Sequence, residues 1–144
     1  MRKIAAVVVL FFVALTLHAA SKPEPVVDHW FDAAGTLGDA RAIQTCLEAY
    51  LSDYGHYPAA ATIEDLKTAL SPIYIREFPD KDQWGTLFLY EVSADGKAYT
   101  IASAGSDGKF DRAAWKAGYS VHSADDLVYR NGGFIKEWVI QRVK

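Results

Sequence analysis

The chain has 144 residues, of which 51% are hydrophobic, 13% aromatic and 23% charged, and its formal net charge is −3. This length suits one domain of ordinary size, and the apolar and aromatic content excludes a mostly disordered protein. The basic residues are scattered rather than gathered in a stripe, so nucleic acid is excluded as the expected partner. A single cysteine, Cys46, excludes an internal disulfide and a cysteine-rich metal site.

Residues 1–20 have the composition of a secretory signal peptide. Arg2 and Lys3 precede an apolar run over residues 4–17, and two alanines follow it. The run is shorter than the roughly 20 residues of a membrane-spanning helix, so a cleaved signal is the first interpretation. The alternative is a short retained anchor, with membrane contact only if residues 4–20 are kept. The first interpretation predicts a periplasmic or secreted chain, and the alternative an inner-membrane anchor that faces the periplasm.

The segment after the signal is predicted to be a linker, in which residues 28–34 form either a short helix or an irregular approach. Residues 21–38 contain two prolines, and Gly35 and Gly38 lie near the end of the segment. Proline and glycine both disfavour a continuous helix. The globular domain is therefore predicted to occupy residues 39–144.

Two helices are predicted at the start of this domain. From Asp39 the apolar residues recur at spacings of three and four, which is typical of one buried helix face, and Gly55 ends the pattern. Thr62 is a capping residue for a second, shorter helix through Leu70. Asp65 lies three residues after Thr62 and is a weak capping-box partner.

An antiparallel sheet is predicted after the helices. Asp95-Gly96 is a turn sequence between two strands, and a further turn separates the last two strands. The predicted strands cover residues 87–92, 98–103, 127–129 and 134–143. Residues 109–126 are predicted to be irregular, with Trp115 and Tyr119 packing this loop down. The order of elements indicates the α+β class, with the long N-terminal helix packed on a small antiparallel sheet.

Four stretches, taken in order, carry a resemblance to one family. They are residues 53–58, 78–85, 99–108 and 125–128. They are similar to the helix end, the Trp-Gly run, the Gly-x-Asp-Gly loop and the paired aspartates of the major pseudopilin of type II secretion systems, the G-type pseudopilin. The resemblance implies a pseudopilin-like head with a non-catalytic structural or interaction role. It also implies envelope or secretion-system proteins as partners.

Other features depart from this family. No glycine followed by phenylalanine precedes the apolar run, and no acidic residue occurs before Glu24. We therefore expect a head that lacks the polymerising prepilin helix and that caps, docks on or regulates a machine. Gln83 replaces the proline of the family, and residues 112–124 are longer than its usual loop. A membrane-anchored minor pilin-like subunit of a secretion or pilus machine is the alternative function.

The resemblance further implies a bound calcium ion. Its expected ligands are Asp107 and one or both of Asp125 and Asp126, and Asp111 is a looser candidate. Calcium takes six to eight oxygen ligands, and carboxylates supply them. Adjacent aspartates on a strand point to opposite faces, so one of the pair is expected to dominate. The alternative interpretation is that these aspartates and glycines serve only as turn residues.

No complete catalytic constellation accompanies these residues. The histidines are widely spaced, and Ser103 lacks the preceding glycine of a nucleophile elbow. Cys46 lies within a predicted helix rather than at its N-terminus, where the thiol pKa would be lowered. The chain is therefore predicted not to be an enzyme, and an exported enzyme is kept as a third hypothesis.

Overall fold

The structure is a computed structural model that describes residues 28–139. The predicted signal or anchor and the linker up to residue 27 lie outside these residues. In chain order the elements are α1 (Trp30–Tyr54), α2 (Ile63–Leu70), β1 (Leu89–Val92), β2 (Tyr99–Ser103), β3 (Gly118–Ser120), β4 (Leu127–Arg130) and β5 (Gly133–Trp138). The predicted α+β class, with a long helix packed on a small sheet, is confirmed. Within the described range no helix is both long and apolar enough to cross a bilayer.

Helix α1 begins earlier than predicted. It starts at Trp30, so Gly35 and Gly38 lie inside it, and the linker prediction is wrong from Trp30 onward. Gln83 contributes to the difference, because it packs on this part of the helix, where Ala33 and Leu37 are also buried. A Cβ atom added at Gly35 would lie 2.8 Å from the Gln83 Cγ atom. Tertiary packing here outweighs the cost of about 1 kcal/mol that a glycine imposes on a helix.

The ends of the helices follow the predicted capping residues. Gly55 has φ +74° and its N–H donates to the Leu51 carbonyl at 2.7 Å, which ends α1. Thr62 caps α2, since its hydroxyl oxygen accepts from the Asp65 N–H at 3.1 Å. The Thr62 hydroxyl also donates to the Asp65 carboxylate at 2.9 Å. Both predicted helix ends are confirmed.

The sheet has five strands in the order β1-β2-β4-β5-β3, and all neighbours are antiparallel except β3 and β5. Strand β3 lies inside the region 109–126, which was predicted to be irregular, and its parallel pairing is a correction. The strand has only three residues, two of them exposed, which is too short for an alternating pattern of apolar and polar residues. Its pairing with β5 is what identifies it as a strand. The end of the predicted last strand lies beyond the described residues.

Different parts of the chain pack on the two faces of the sheet. On one face, Tyr90, Ile101 and Tyr129 lie side by side and are buried with the apolar residues of α1. The opposite face carries Glu91, and the segment between β2 and β4 crosses it. Arg112 in that segment donates to Glu91 at 2.6 Å. This exposed ion pair links the segment between β2 and β4 to the edge strand β1.

Candidate functional site

Two loops meet at the end of β2. The loop 105–108 follows β2, and the segment 123–126 precedes β4. The Ser106 N–H donates to the Ser123 carbonyl at 2.7 Å, and the two serine hydroxyls lie 3.0 Å apart. Gly105 has φ +68°, and a Cβ atom there would lie 2.3 Å from the Ser123 carbonyl oxygen. Glycine thus permits both the left-handed turn and the close approach of the two loops, which we call the loop pair.

Asp126 is the buried carboxylate of the loop pair. Asp126 is only 3% exposed. Its carboxylate accepts hydrogen bonds from the Asp111 N–H at 2.8 Å and from the Trp115 indole N–H. Burial raises the pKa of the Asp126 carboxyl, and the nearby negative charge of Asp107 acts in the same direction. The two hydrogen bonds and the positive charge of Lys136 act in the opposite direction, and the effect of burial outweighs them.

Asp107 and Asp111 occupy turns around this carboxylate. Asp107 is exposed and accepts from the Lys109 N–H at 2.8 Å, within a turn that Gly108 closes. The Asp111 carboxylate accepts from the Ala113 N–H at 3.2 Å and caps a one-turn 3₁₀ helix. Asp111 thus reaches Asp126 through its backbone N–H rather than through its carboxylate.

Asp125 faces a different set of partners. Its carboxylate accepts from the Ser120 hydroxyl at 2.5 Å and lies 3.4 Å from the Lys136 ammonium. The hydrogen bond from Ser120 lowers the pKa of the Asp125 carboxyl, and the positive charge of Lys136 contributes to this. The two adjacent aspartates therefore have different direct contacts, although the charge of Lys136 acts on both.

The four predicted ligands thus do not form one cluster of carboxylates. The charge of Asp107 acts on Asp126 from outside hydrogen-bond contact, while the carboxylates of Asp111 and Asp125 have other partners. Among residues 28–139, no group of three or more His, Cys, Asp or Glu side chains is placed to hold a metal ion. The donor set that remains contains only oxygen, which suits a hard cation such as calcium. The four-residue calcium site stays a prediction.

Asp82 is a structural residue of this site that the sequence reasoning missed. It is 4% exposed and its carboxylate accepts from the Trp84 N–H at 3.1 Å, the Thr86 N–H at 2.9 Å and the Ser103 hydroxyl at 2.7 Å. Ser103 in turn accepts from the Gly105 N–H at 3.1 Å. Asp82 therefore fixes the point at which the chain leaves β2. The signal in the sequence was the Asp-x-Trp-Gly run.

Trp115 and Asp28 were also missed as partners of the loop pair. Trp115 is half-buried and holds Asp126, which agrees with the predicted packing role. Tyr119, for which the same role was predicted, is 78% exposed, so that prediction is wrong. The Asp28 carboxylate accepts from the Ser123 N–H, which lowers the pKa of Asp28. No local pattern in the sequence points to either contact.

Comparison with protein families gives a match to the family described as type II secretion system (T2SS), protein G, over residues 32–117. The match includes Asp107 and Asp111, and ends before Asp125 and Asp126. No curated protein matches the chain at a significant level. The matched range exceeds half of the chain and contains most of α1, all of α2, the hairpin β1-β2 and the loop after it. The chain therefore belongs to the family of type II secretion system protein G, the major pseudopilin.

Proposed function

We propose that this chain is an exported, non-catalytic structural protein of a type II secretion system, whose pseudopilin-like head is stabilised by one calcium ion. The family match across α1 and the first half of the sheet carries this proposal. Its partners are other envelope proteins of the secretion machine. The compartment is the periplasm or the exterior.

One face of α1 is suited to contact such partners. Gly38, Arg41, Thr45 and Ala49 are exposed and recur at spacings of three and four. Gly38, Thr45 and Ala49 lie opposite the face that packs on the sheet, and Arg41 lies at the border, where it contacts Glu137 and the Phe134 ring of β5. This stripe offers a test position, Thr45, on the helix, and Ala94 in the β1-β2 turn is an exposed position elsewhere.

The interaction with the secretion machine is tested by photo-crosslinking in the bacterium that makes the chain. A photoreactive residue replaces Thr45 or, as the control, Ala94, and adducts are identified by mass spectrometry. We expect adducts with other pseudopilins of the same secretion system from position 45 and not from position 94. The proposal fails if neither position gives such adducts and deletion of the chain leaves secretion unchanged.

The calcium part of the proposal rests on Asp107 and Asp126. A buried carboxylate beside a second carboxylate is costly to ionise unless a cation neutralises the pair. We propose that these two side chains supply the charged ligands, with backbone carbonyls and water as the others. Asp111 is a secondary candidate, and Asp125 is a weak one because Lys136 already neutralises it. When bound, the ion would neutralise and join the two loops.

Calcium binding is tested by thermal unfolding of the full chain in mild detergent, with calcium, with magnesium and with chelator. A ligand at a hundredfold excess over its Kd stabilises the folded state by about 2.7 kcal/mol. We expect calcium alone to raise the Tm by several degrees. Asp107→Ala should abolish this rise.

Asp95→Ala is the matched control for this test. Asp95 and Asp107 both begin an Asp-Gly-Lys turn, and each accepts from the N–H two residues later, at 3.0 Å and 2.8 Å respectively. Both substitutions remove this local bond, and Asp95→Ala also removes the bond that Asp95 accepts from the Ser93 hydroxyl at 2.5 Å. The charge of Asp107 acts on Asp126. Equal loss of the calcium effect in both variants, or an equal rise with magnesium, would contradict the proposal.

The raised pKa of Asp126 predicts a pH dependence. Its folded state favours the protonated carboxyl, so this contribution to stability is complete below the unfolded pKa near 3.8 and is lost as pH rises through the folded pKa. Calcium requires the ionised form, so the calcium-induced rise in Tm should grow over the same pH range. The measurement is the Tm with and without calcium from about pH 4 to about pH 8. A calcium effect of constant size across this range would exclude Asp126 as a ligand.

A membrane-anchored pilin-like subunit that keeps residues 4–20 is the second candidate function. Two exposed aromatic residues at the start of α1, Trp30 and Phe31, favour it. An intact N-terminus in the membrane fraction would support this candidate, whereas a mature N-terminus at Ala20 or Ser21 would eliminate it.

A further inference from the structure

The start of α1 presents two adjacent aromatic side chains to solvent. Trp30 is 46% exposed and Phe31 is 74% exposed, and their rings stack with centroids 4.0 Å apart. We call this pair the aromatic end. Burying its apolar area would be favourable by about 25 cal/mol for each Å² removed from water. The next residues that face the core, such as Ala33 and Leu37, are buried, so the exposure is confined to the first turn.

The aromatic end is held in a fixed place on the domain. The Asp28 N–H donates to the Val121 carbonyl at 3.1 Å, and the Asp28 carboxylate accepts from the Ser123 N–H. These bonds tie the residues before the helix to the segment between β3 and β4. Tyr119, on the edge strand β3, is exposed close to this attachment in the chain. The exposed rings therefore belong to one end of a packed domain.

The position of this end in the chain indicates what covers it. Ten residues separate the apolar run over residues 4–17 from Asp28. Those intervening residues, 18–27, span at most about 35 Å when fully extended. A domain tethered at such a length meets the membrane surface at a high effective concentration, so a weak contact is sufficient.

We infer that the aromatic end contacts the headgroup region of the membrane that holds the apolar run. Tryptophan is enriched at this depth because its ring is apolar and its N–H is polar. Asp28 and Asp32 flank the rings, so attraction to anionic lipid does not drive the contact. The inference rests on retention of residues 4–20, as in the second candidate function, and is independent of calcium and of any secretion partner.

The test uses the full chain in phosphatidylcholine vesicles, with or without brominated acyl chains, which quench nearby tryptophan fluorescence. Subtracting the emission of Trp30→Phe from that of the unmodified chain isolates Trp30. We expect brominated lipid to reduce the Trp30 emission at least about twofold, since an interfacial ring lies beside the acyl chains. Phe31→Ser should weaken this quenching, and added salt should not, because the contact is apolar.

Position 54 supplies the matched control. Tyr54 is 55% exposed at the other end of the 25-residue helix α1, which is about 37 Å long. Tyr54→Trp is made in the Trp30→Phe background, and the emission of Trp30→Phe is subtracted from that of the double variant. The remaining emission, from position 54, should not be quenched by brominated lipid. The inference is overturned if both positions are quenched alike, if acrylamide in the water quenches Trp30 equally with and without vesicles, or if neither agent reaches Trp30. The last outcome would mean that a protein, such as a second copy, covers the aromatic end.

Discussion

Replacing Gly105 by alanine is expected to destabilise the folded domain by about 3 kcal/mol. An alanine at its φ of +68° costs roughly 1–2 kcal/mol. The added Cβ atom would also lie 2.3 Å from the Ser123 carbonyl oxygen and 2.7 Å from that of Asp125. Both obstacles are backbone atoms, so no side-chain rotation relieves the overlap, and overpacking adds about 1–3 kcal/mol. The loops of the loop pair should separate.

The measurements are thermal unfolding and hydrogen exchange at Ser106, whose N–H is bonded to the Ser123 carbonyl. We expect the Tm to fall by about 10 °C and the Ser106 amide to lose protection. Gly38→Ala is the control, because Gly38 lies inside α1 and no atom lies within 4 Å of an added Cβ atom. It should stabilise the domain by about 0.8 kcal/mol. Destabilisation of similar size in both variants would contradict the account of the loop pair.

Asp82→Ala is expected to cost about 4 kcal/mol, the larger of the two effects. The substitution leaves the Trp84 and Thr86 N–H groups and the buried Ser103 hydroxyl without their acceptor. Each hydrogen bond to a charged group is worth about 1.5–3 kcal/mol, and the bonds share one carboxylate, so their losses do not add fully. Denaturant unfolding of the full chain measures the change in the free energy of unfolding.

Two further variants separate the causes of this loss. Asp82→Asn keeps an oxygen for the two backbone N–H groups and offers an amide N–H to Ser103, so it should restore more than half of the stability. Asp80→Ala removes a neighbouring carboxylate that lies 2.8 Å from the Lys67 ammonium in an exposed ion pair. It should cost no more than about 1 kcal/mol. If Asp80→Ala costs as much as Asp82→Ala, burial of the Asp82 carboxylate does not explain its importance.

Local signals in the sequence predicted most of the helices and the first hairpin. Gly55, Thr62 and Asp65 act within their own turns, so their roles could be predicted from neighbouring residues alone. The start of α1 could not, because residues distant in sequence support it, as in the contacts of Gln83 with Gly35 and of Asp28 with Ser123. Strand β3 was missed for the same reason, since its pairing with β5 joins residues that are distant in sequence.

The candidate site shows the same division. The resemblance to the family predicted that Asp107 and one or both of Asp125 and Asp126 share a calcium site, and this stays a prediction. The orientation of each aspartate depends on contacts distant in sequence, such as the Trp115 indole with Asp126 and the Lys136 ammonium with Asp125. Neither partner could be assigned to its aspartate from the order of residues.

Gln83 has a mechanical consequence for the head. Its backbone N–H donates to the Thr36 hydroxyl at 3.1 Å, and its side-chain amide donates to Asp39 at 2.8 Å, while its stem packs on Gly35. A proline here would have no N–H to donate. These contacts thus attach two successive turns of α1 to the loop before β1. A force applied to the chain before Trp30 would act on all of these contacts at once. The head and its helix would therefore move as one rigid body.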